Sequence, residues 1–315
     1  MKILVLGAGA IGSVFGGFLA KNNHELVLFG REHCITPINN HGLHIDGIWG
    51  EHHITNIKGY SSLNKIARSE GRNFDLALLT VKSYDTIHLI RHFIHTIGKS
   101  ILTVSLQNGL GNLEAIADML GKDKAIGGRV IFGAELVEPA RVKVTVYADK
   151  VMLGSLKDGV PLEKVKEIAE LFDNCGIPTS STEEIDKYIW GKVLYNCALN
   201  ALSCLFEVNY GKLLENHQTK TMMEDIVREL FKVIHAKKVV VDWNEADEYI
   251  KELLEHLIPA TYDHFSSMLQ DIRTGKKTEI DALNGKVVAM AEEMGLDLPV
   301  NRVITSLVKA KKLTH

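Results

Sequence analysis

Hydrophobic positions divide this 315-residue chain into two parts of different periodicity. Up to residue 180, short and nearly continuous apolar runs alternate with amphipathic stretches. Such runs are expected of parallel strands covered by helices on both faces. Lys2–Leu6 and Glu25–Phe29 are predicted as the first two strands, and short extended pieces follow at 43–48 and 52–57. Residues 74–81 and 100–106 are predicted as further buried strands. Residues 125–137 and 141–153 are strand-like, with Glu138-Pro139 at the turn between them. Residues 161–174 form a helix pattern opened by Pro161 and followed by Gly176.

From Ser181 the spacing changes. Ser181-Thr182-Glu183-Glu184 has the form of a capping box, and apolar residues then recur at helical intervals. Helices are predicted near 183–206, 217–240, 244–272, 278–294 and 300–311, with Asn244, Thr278 and Pro299 as starts and Gly295 as a stop. No internal repeat or low-complexity linker interrupts the pattern. The expected organisation is α/β: a doubly wound domain over 1–180 and an all-helical domain over 181–315.

The first strand runs directly into Gly7-Ala8-Gly9-Ala10-Ile11-Gly12, and a helix pattern follows. Gly7 permits the tight turn, Gly9 admits a pyrophosphate to the backbone, and Gly12 lets the helix pack closely on the strand. The helix N-terminus then offers N–H groups and a positive dipole end to phosphates. This context points to a Rossmann-type dinucleotide-binding domain. An N-terminal leader fits poorly, because the apolar stretch to Ala20 holds glycines at 7, 9, 12, 16 and 17 and a strand follows at once. The second strand ends in Gly30-Arg31. A carboxylate there would accept from the ribose 2′-hydroxyl and repel a 2′-phosphate, whereas Arg31 attracts the phosphate. The expected cofactor is therefore NADPH/NADP+.

Open α/β sheets bind ligands beyond the carboxyl ends of their strands. Gly7 follows the first strand, Arg31 the second, Lys82-Ser83 the third buried run and Gln107-Asn108-Gly109 the fourth. Arg31 and Lys82 are expected beside the cofactor phosphate, and Asn108 towards its nicotinamide end. Each alone could be an ordinary strand-to-loop residue; their coincidence on one rim argues otherwise. In the helical part, Lys192, Asn196 and Asn200 are spaced i, i+4, i+8 and drift only roughly 40° per step. Asparagines among Val193, Leu194, Ala198, Leu199 and Leu202 suggest a buried, hydrogen-bonding face lining a cavity, the alternative being a partly exposed helix with structural asparagines. Ser266-Ser267-Met-Leu-Gln-Asp-Ile is expected to end a helix and Thr278-Glu279-Ile-Asp to begin another, with Glu279 in a first turn that favours a carboxylate.

Composition narrows the classes. The net charge of −3 gives no bias towards nucleic acid or membrane surfaces. No uncharged apolar run reaches membrane-spanning length outside the glycine-rich start. Cys34, Cys175, Cys197 and Cys204 form no CxxC pair and read as buried thiols of a reducing cytoplasm. The 14 histidines are scattered, with His52-His53 the adjacent pair, and no HExxH occurs, so no metal is expected.

These segments together resemble the ketopantoate reductase (2-dehydropantoate 2-reductase) family. The resemblance is carried by GAGAIG at 7–12, Arg31, VKSYD at 81–85, LQNGLGN at 106–112, WGKVLYNCALNAL at 190–202, SSMLQDI at 266–272 and TEIDALNG at 278–285. It implies a Rossmann-type NADP-binding domain followed by an all-α, 6-phosphogluconate-dehydrogenase-like domain. Lys192 resembles the family's catalytic lysine, and Glu279 resembles the acid that works with cofactor and lysine. Asn196 and Asn200 resemble the substrate-binding asparagines, Ser267 the ligand of the substrate carboxylate, and Asn108 the asparagine shared by cofactor and substrate. The implied activity is NADPH-dependent reduction of ketopantoate to pantoate by a cytoplasmic enzyme of pantothenate biosynthesis. Its partner is a small 2-oxo acid rather than nucleic acid or membrane, and the helical domain could support a homodimer. The alternatives are reduction of another 2-oxo acid, a 3-hydroxy acid or an imine on the same scaffold, or a non-catalytic NADPH sensor. One departure stands out: family members often carry a glycine and a histidine in the hairpin that here reads EPARVKVT at 138–145.

Overall fold

The apolar runs of the first part enter a single eight-stranded sheet. The computed structural model describes residues 1–311. The strands are β1 (Lys2–Leu6), β2 (Glu25–Phe29), β3 (Leu43–Gly47), β4 (His52–Ile54), β5 (Ile57–Tyr60), β6 (Leu76–Leu79), β7 (Leu102–Ser105), β8 (Ala125–Arg129), β9 (Phe132–Glu138), β10 (Arg141–Tyr147), β11 (Val151–Ser155) and β12 (Thr179–Ser181). The main sheet runs β12-β11-β8-β7-β6-β1-β2-β5. From β5 to β8 every neighbouring pair is parallel, while β11 joins β8 antiparallel. The six parallel strands thus have the 3-2-1-4-5-6 order of a doubly wound dinucleotide fold, with the order reversing between β1 and β6. Helices α1 (Ala10–Lys21), α2 (Glu32–His41), α3 (Leu63–Ser69), α4 (Thr86–Thr96), α5 (Asn112–Leu120) and α6 (Leu162–Asn174) complete the unit.

A second, four-stranded sheet of order β4-β3-β10-β9 corrects three expectations. The 125–137 run is two strands, β8 and β9, in different sheets; the 141–153 run likewise divides into β10 and β11, and the 52–57 piece into β4 and β5. None of the three breaks, at 130–131, 148–150 and 55–56, has a glycine or proline to mark it. The switch at residues 130–131 is fixed instead by tertiary bonds: Arg129, almost buried, donates through Nη2 to Asp149 and to the Lys150 carbonyl, both at 2.9 Å. The 138–145 segment is the turn and second strand of the β9/β10 hairpin, where Arg141 pairs with Asp46. Val142 and Val144 from that hairpin join Phe15, Ile45 and Leu43 in the apolar core.

The second unit comprises Asn108–Gly111 and the chain from Asp186 onward, so four residues that follow β7 in sequence group with the helices. Its helices are α7 (Ile185–Phe206), α8 (Tyr210–Glu215), α9 (His217–Lys237), α10 (Ala246–Glu252), α11 (Ile258–Ala260), α12 (Ser267–Arg273), α13 (Asn284–Glu293) and α14 (Pro299–Ala310). From Val193 to Cys204 α7 is buried on almost every face, as befits a central helix. Buried polar groups fasten its neighbours. Glu229 on α9 accepts from the backbone N–H groups of Val300 and Asn301 at the start of α14 (2.9 Å each) and from Asn301 Nδ2 (2.7 Å). Asn284 Nδ2 then donates to Asn301 Oδ1 and to the Cys197 carbonyl on α7.

Three helix expectations change. The 244–272 pattern is α10, a π-type turn at Leu253–Leu257, short α11, a non-helical stretch at 261–266, and α12. The 278–294 pattern begins with a 3-10 turn, Ile280–Ala282, and α13 starts at Asn284. Ser181 ends β12; Thr182 Oγ1 instead accepts from Glu184 N (3.0 Å) before α7. The short helix α8 was not expected, although Asn209 caps it and Asn216 caps α9. Among the described residues no helix is long and apolar enough to cross a membrane.

Candidate active site and cofactor turn

In the first unit the turn after β1 is built as its glycines require. Gly7 has φ +135°, where a side chain would be strained, and its Cβ would fall 2.7 Å from Thr80 Oγ1. A Cβ on Gly12 would lie 1.9 Å from the Gly7 carbonyl oxygen, so α1 can approach β1 only without one. Gly9 is different: it is exposed, and no atom lies within 4 Å of its Cβ position. It is the N-cap of α1 and brings no side chain to the helix's first N–H groups, which follow at Ala10, Ile11 and Gly12. An open, uncapped helix start beside a strand end is a cradle for an anion. Ala8 is buried beneath it.

The neighbouring strands end on the same carboxyl edge. Arg31 is exposed and is the N-cap of α2 immediately after β2. Lys82 lies two residues after Thr80, whose hydroxyl donates to the Gly7 carbonyl (2.9 Å) and so joins the β6 end to the glycine turn. The loop carrying Lys82 is itself braced. Gln107 Nε2 donates to the Val81 carbonyl and to Thr86 Oγ1 at 2.7 Å each, Thr86 donates to Asn112 Oδ1, and Asn112 donates to Ser83 Oγ. Gln107 and Asn112 fall within the LQNGLGN segment at 106–112, while Thr86 carries no sequence signal beyond polarity. The structure thus brings Gly7–Gly12, Arg31 and Lys82 to one rim of one sheet.

The second unit assembles the other expected residues around α7. Lys192 is half-buried, and its Nζ donates to Asn108 Oδ1 at 2.6 Å. Lysine is only a donor, so this bond fixes the orientation of the Asn108 amide. Asn108 is held by its own segment. Gly109 has φ +85°, its Cβ position lies 2.4 Å from the Ala282 carbonyl oxygen, and Leu110 N donates to that same oxygen at 2.9 Å. The 108–111 segment is therefore seated on the turn that begins at Glu279, whose carbonyl accepts from Ala282 N. Glu279 is 7% exposed and precedes the 3-10 turn rather than occupying the first turn of a long helix, as the sequence had suggested.

Asn196 and Asn200 follow Lys192 on the same face of α7 and are both buried. Among the described residues the Asn196 amide makes no hydrogen bond, and its polar atoms keep some access to solvent although the residue is 7% exposed. Asn200 Oδ1 accepts from the Tyr210 hydroxyl at 2.6 Å. Ser266 Oγ donates to the Asn200 carbonyl (3.2 Å) and accepts from Leu269 N, so Ser266-Ser267 starts α12 instead of ending a helix. Ser267, partly exposed, opens α12 directly after this anchor. Tyr195, between Lys192 and Asn196, bonds Thr261 at 2.7 Å; burial pushes its phenol up to about 12, against the pull of that hydrogen bond. Tyr195, Tyr210 and Thr261 were not singled out from sequence, where aromatic residues near an apolar helix read as core.

Among the described residues no group of three or more His, Cys, Asp or Glu side chains could hold a metal ion. Residues 3–158 match the model of the family described as "Ketopantoate reductase PanE/ApbA", and residues 184–312 match "Ketopantoate reductase PanE/ApbA C terminal". The chain belongs to the ketopantoate reductase family. It is 39% identical over 313 residues to a 2-dehydropantoate 2-reductase of Aquifex aeolicus, covering 99% of this chain and 97% of that one. Solved structures agree on the fold. A PanE/ApbA family ketopantoate reductase from Ralstonia eutropha superposes with a TM-score of 0.87 at 27% identity, over 100% of this chain and 99% of that one. A D-mandelate dehydrogenase in complex with NADH and anilino(oxo)acetate gives 0.88 at 27% identity, with the same coverage. The family's scaffold is thus an α/β dinucleotide-binding unit plus a helical unit, as the sequence pattern implied.

Proposed function

We propose that this chain reduces 2-dehydropantoate (ketopantoate) to pantoate with NADPH, in pantothenate and coenzyme A biosynthesis. The observation that carries the reading is the Lys192–Asn108 hydrogen bond, on a helix face continued by the buried Asn196 and Asn200. The glycine turn fits a dinucleotide, because the space above Gly9 is open and α1 starts there without a side-chain cap. Gly7, Ala8, Gly9, Ala10, Ile11, Gly12, Arg31 and Lys82 would hold NADPH, with Asn108 and Glu279 towards its reactive end. When bound, it supplies the hydride that adds to the keto carbon.

The chain's own residues do the rest. As an ammonium, Lys192 stabilises charge developing on the carbonyl oxygen and donates a proton to it, so hydride plus proton turn C=O into CH–OH. The lysine, left neutral, regains its proton from solvent. Its bond to Asn108 restricts where the ammonium points before substrate arrives, which lowers the reorganisation needed in the transition state. Asn196 and Asn200 bind the substrate's polar oxygens, and Ser267 its carboxylate, as neutral ligands that do not quench the lysine. Glu279 works with lysine and cofactor.

The D-mandelate dehydrogenase likeness favours a second reading, reduction of an aromatic 2-oxo acid with NADH. Arg31 argues against it on the cofactor side, since guanidinium attracts the 2′-phosphate that NADH lacks. Steady-state rates with ketopantoate and benzoylformate, each with NADPH and NADH, decide between the two. Ketopantoate with NADPH should give the highest kcat/KM, and Arg31→Ala should raise the KM for NADPH while barely changing that for NADH. Equal use of both cofactors by the wild type, or a preference for benzoylformate, overturns the proposal. A cytoplasmic location and a homodimer belong to the same proposal. All four cysteines are buried and free, as a reducing compartment allows, and light scattering reads the oligomeric state.

A further inference from the structure

Asn200 is held more tightly than its place in an apolar helix demands. A side-chain amide has an accepting end and a donating end of nearly equal shape, and it can be seated either way round. Here the Tyr210 hydroxyl donates to Oδ1 at 2.6 Å, and the Asn200 backbone carbonyl accepts from Ser266 Oγ. Tyr210 is itself immobilised. It is 1% exposed, its ring packs edge-on against Tyr195 (5.7 Å) and tilted against His264 (5.2 Å), and its backbone N donates to the His264 carbonyl. Burial, reinforced by Tyr195, holds its phenol protonated well beyond the ordinary range, so the hydroxyl keeps a proton to donate. With Oδ1 accepting from Tyr210, the NH2 is the end of the amide that makes no hydrogen bond among the described residues, so it is the end offered to a ligand.

Resting on the proposed 2-oxo acid reductase reading, we infer that Tyr210 is a positioning residue that locks the Asn200 amide with its NH2 towards the substrate, so that the site selects 2-oxo acids bearing a second, hydrogen-bond-accepting oxygen. In ketopantoate that oxygen is the hydroxyl. A site built around a fixed donor rejects an analogue that lacks the acceptor, because the buried donor is then left unpaired. Tyr210 touches neither substrate nor cofactor in this role; it acts through Asn200.

The test compares ketopantoate with 3,3-dimethyl-2-oxobutanoate, the same skeleton without the hydroxyl. The wild type should prefer ketopantoate strongly in kcat/KM. Tyr210→Phe removes one oxygen and keeps the ring. It should raise the KM for ketopantoate about tenfold with kcat changed less than about twofold, the signature of lost uniform binding. The KM for the analogue should stay within about twofold, so the preference collapses. Asn200→Ala serves as the second variant should Tyr210→Phe fold poorly, and it should collapse the preference in the same way. A Tyr210→Phe enzyme that folds and keeps the wild-type preference overturns the inference, as does an equal loss for both substrates in either variant. Wild-type protein that reduces neither compound overturns the functional reading itself, which separates the two failures.

Discussion

At the scale of single residues, Lys192 is the group on which the chemistry turns. Its ammonium meets Asn108 at 2.6 Å, and it is the first polar side chain of a face that continues into buried asparagines. Lys192→Ala should lower kcat by roughly 10²–10⁴-fold, the range for a lost general acid, with the fold intact by circular dichroism. Lys192→Arg should not restore the rate, because guanidinium keeps its charge but does not release a proton near neutral pH. Full ketopantoate reduction by Lys192→Ala would end the mechanism proposed here. The i, i+4, i+8 face was legible in sequence because asparagines are unusual company for valine, leucine and alanine. Tyr210 was not, because nothing in a chain distinguishes a tyrosine that fills a core from one whose hydroxyl is pinned to a particular amide.

At the scale of elements, the sequence was most legible where one physical cause dominates. Parallel strands buried on both faces must be continuous apolar runs, so β1 and β2 were predicted residue for residue and β6 and β7 to within their ends. The breaks in the helical unit lie where tertiary bonds override local pattern. Residues 261–266 keep a helical hydropathy, yet they leave the helix because Tyr210 N and Gly211 N donate to the His264 and Tyr262 carbonyls and Thr261 bonds Tyr195. The short segment Asn108–Gly111 is the element that most directly serves the site. Its conformation rests on a left-handed glycine pressed against the Ala282 carbonyl. Gly109→Ala should therefore combine strain of about 1–3 kcal/mol with a steric clash that displaces Asn108. A misplacement near 1 Å can cost about 100-fold in rate. Thermal unfolding and ketopantoate kinetics together read this, and a variant with wild-type kcat and stability would show that the 108–111 seat has no bearing on Lys192.

At the scale of the whole molecule, the phenols and thiols that burial raises furthest lie in the second unit, while Tyr60 and Cys175 of the first are raised less. In the first, burial pushes the Glu70 carboxyl up, but the hydrogen bond from Tyr60 and the Lys58 and Lys2 ammoniums outweigh it and hold the group below its ordinary range. Asp149 behaves alike: burial opposes, and Arg129 wins. A carboxyl whose folded pKa is depressed adds stability that is present above its unfolded value and is lost as pH falls through the folded one. In the second unit, burial raises the phenols of Tyr210 and Tyr249 well above the ordinary value and raises the Cys197 thiol too. These groups stay neutral when folded but ionise when unfolded, so their contribution is complete below the unfolded pKa and is lost as pH climbs above it, beginning near 8.5 for the thiol and about 10 for the phenols. Acid should weaken the first unit first, and alkali the second. The tryptophans separate the two, since Trp49 lies in the first unit and Trp190 and Trp243 in the second. Replacing Trp49 with phenylalanine, or the other pair, leaves reporters for one unit at a time. Fluorescence-detected urea midpoints should fall more for the Trp49 reporter between pH 7 and about pH 3, below the unfolded carboxyl values, and more for the Trp190 and Trp243 reporters between pH 7 and about pH 10.5. Equal shifts for both reporters at both extremes would mean that neither set of groups governs its unit.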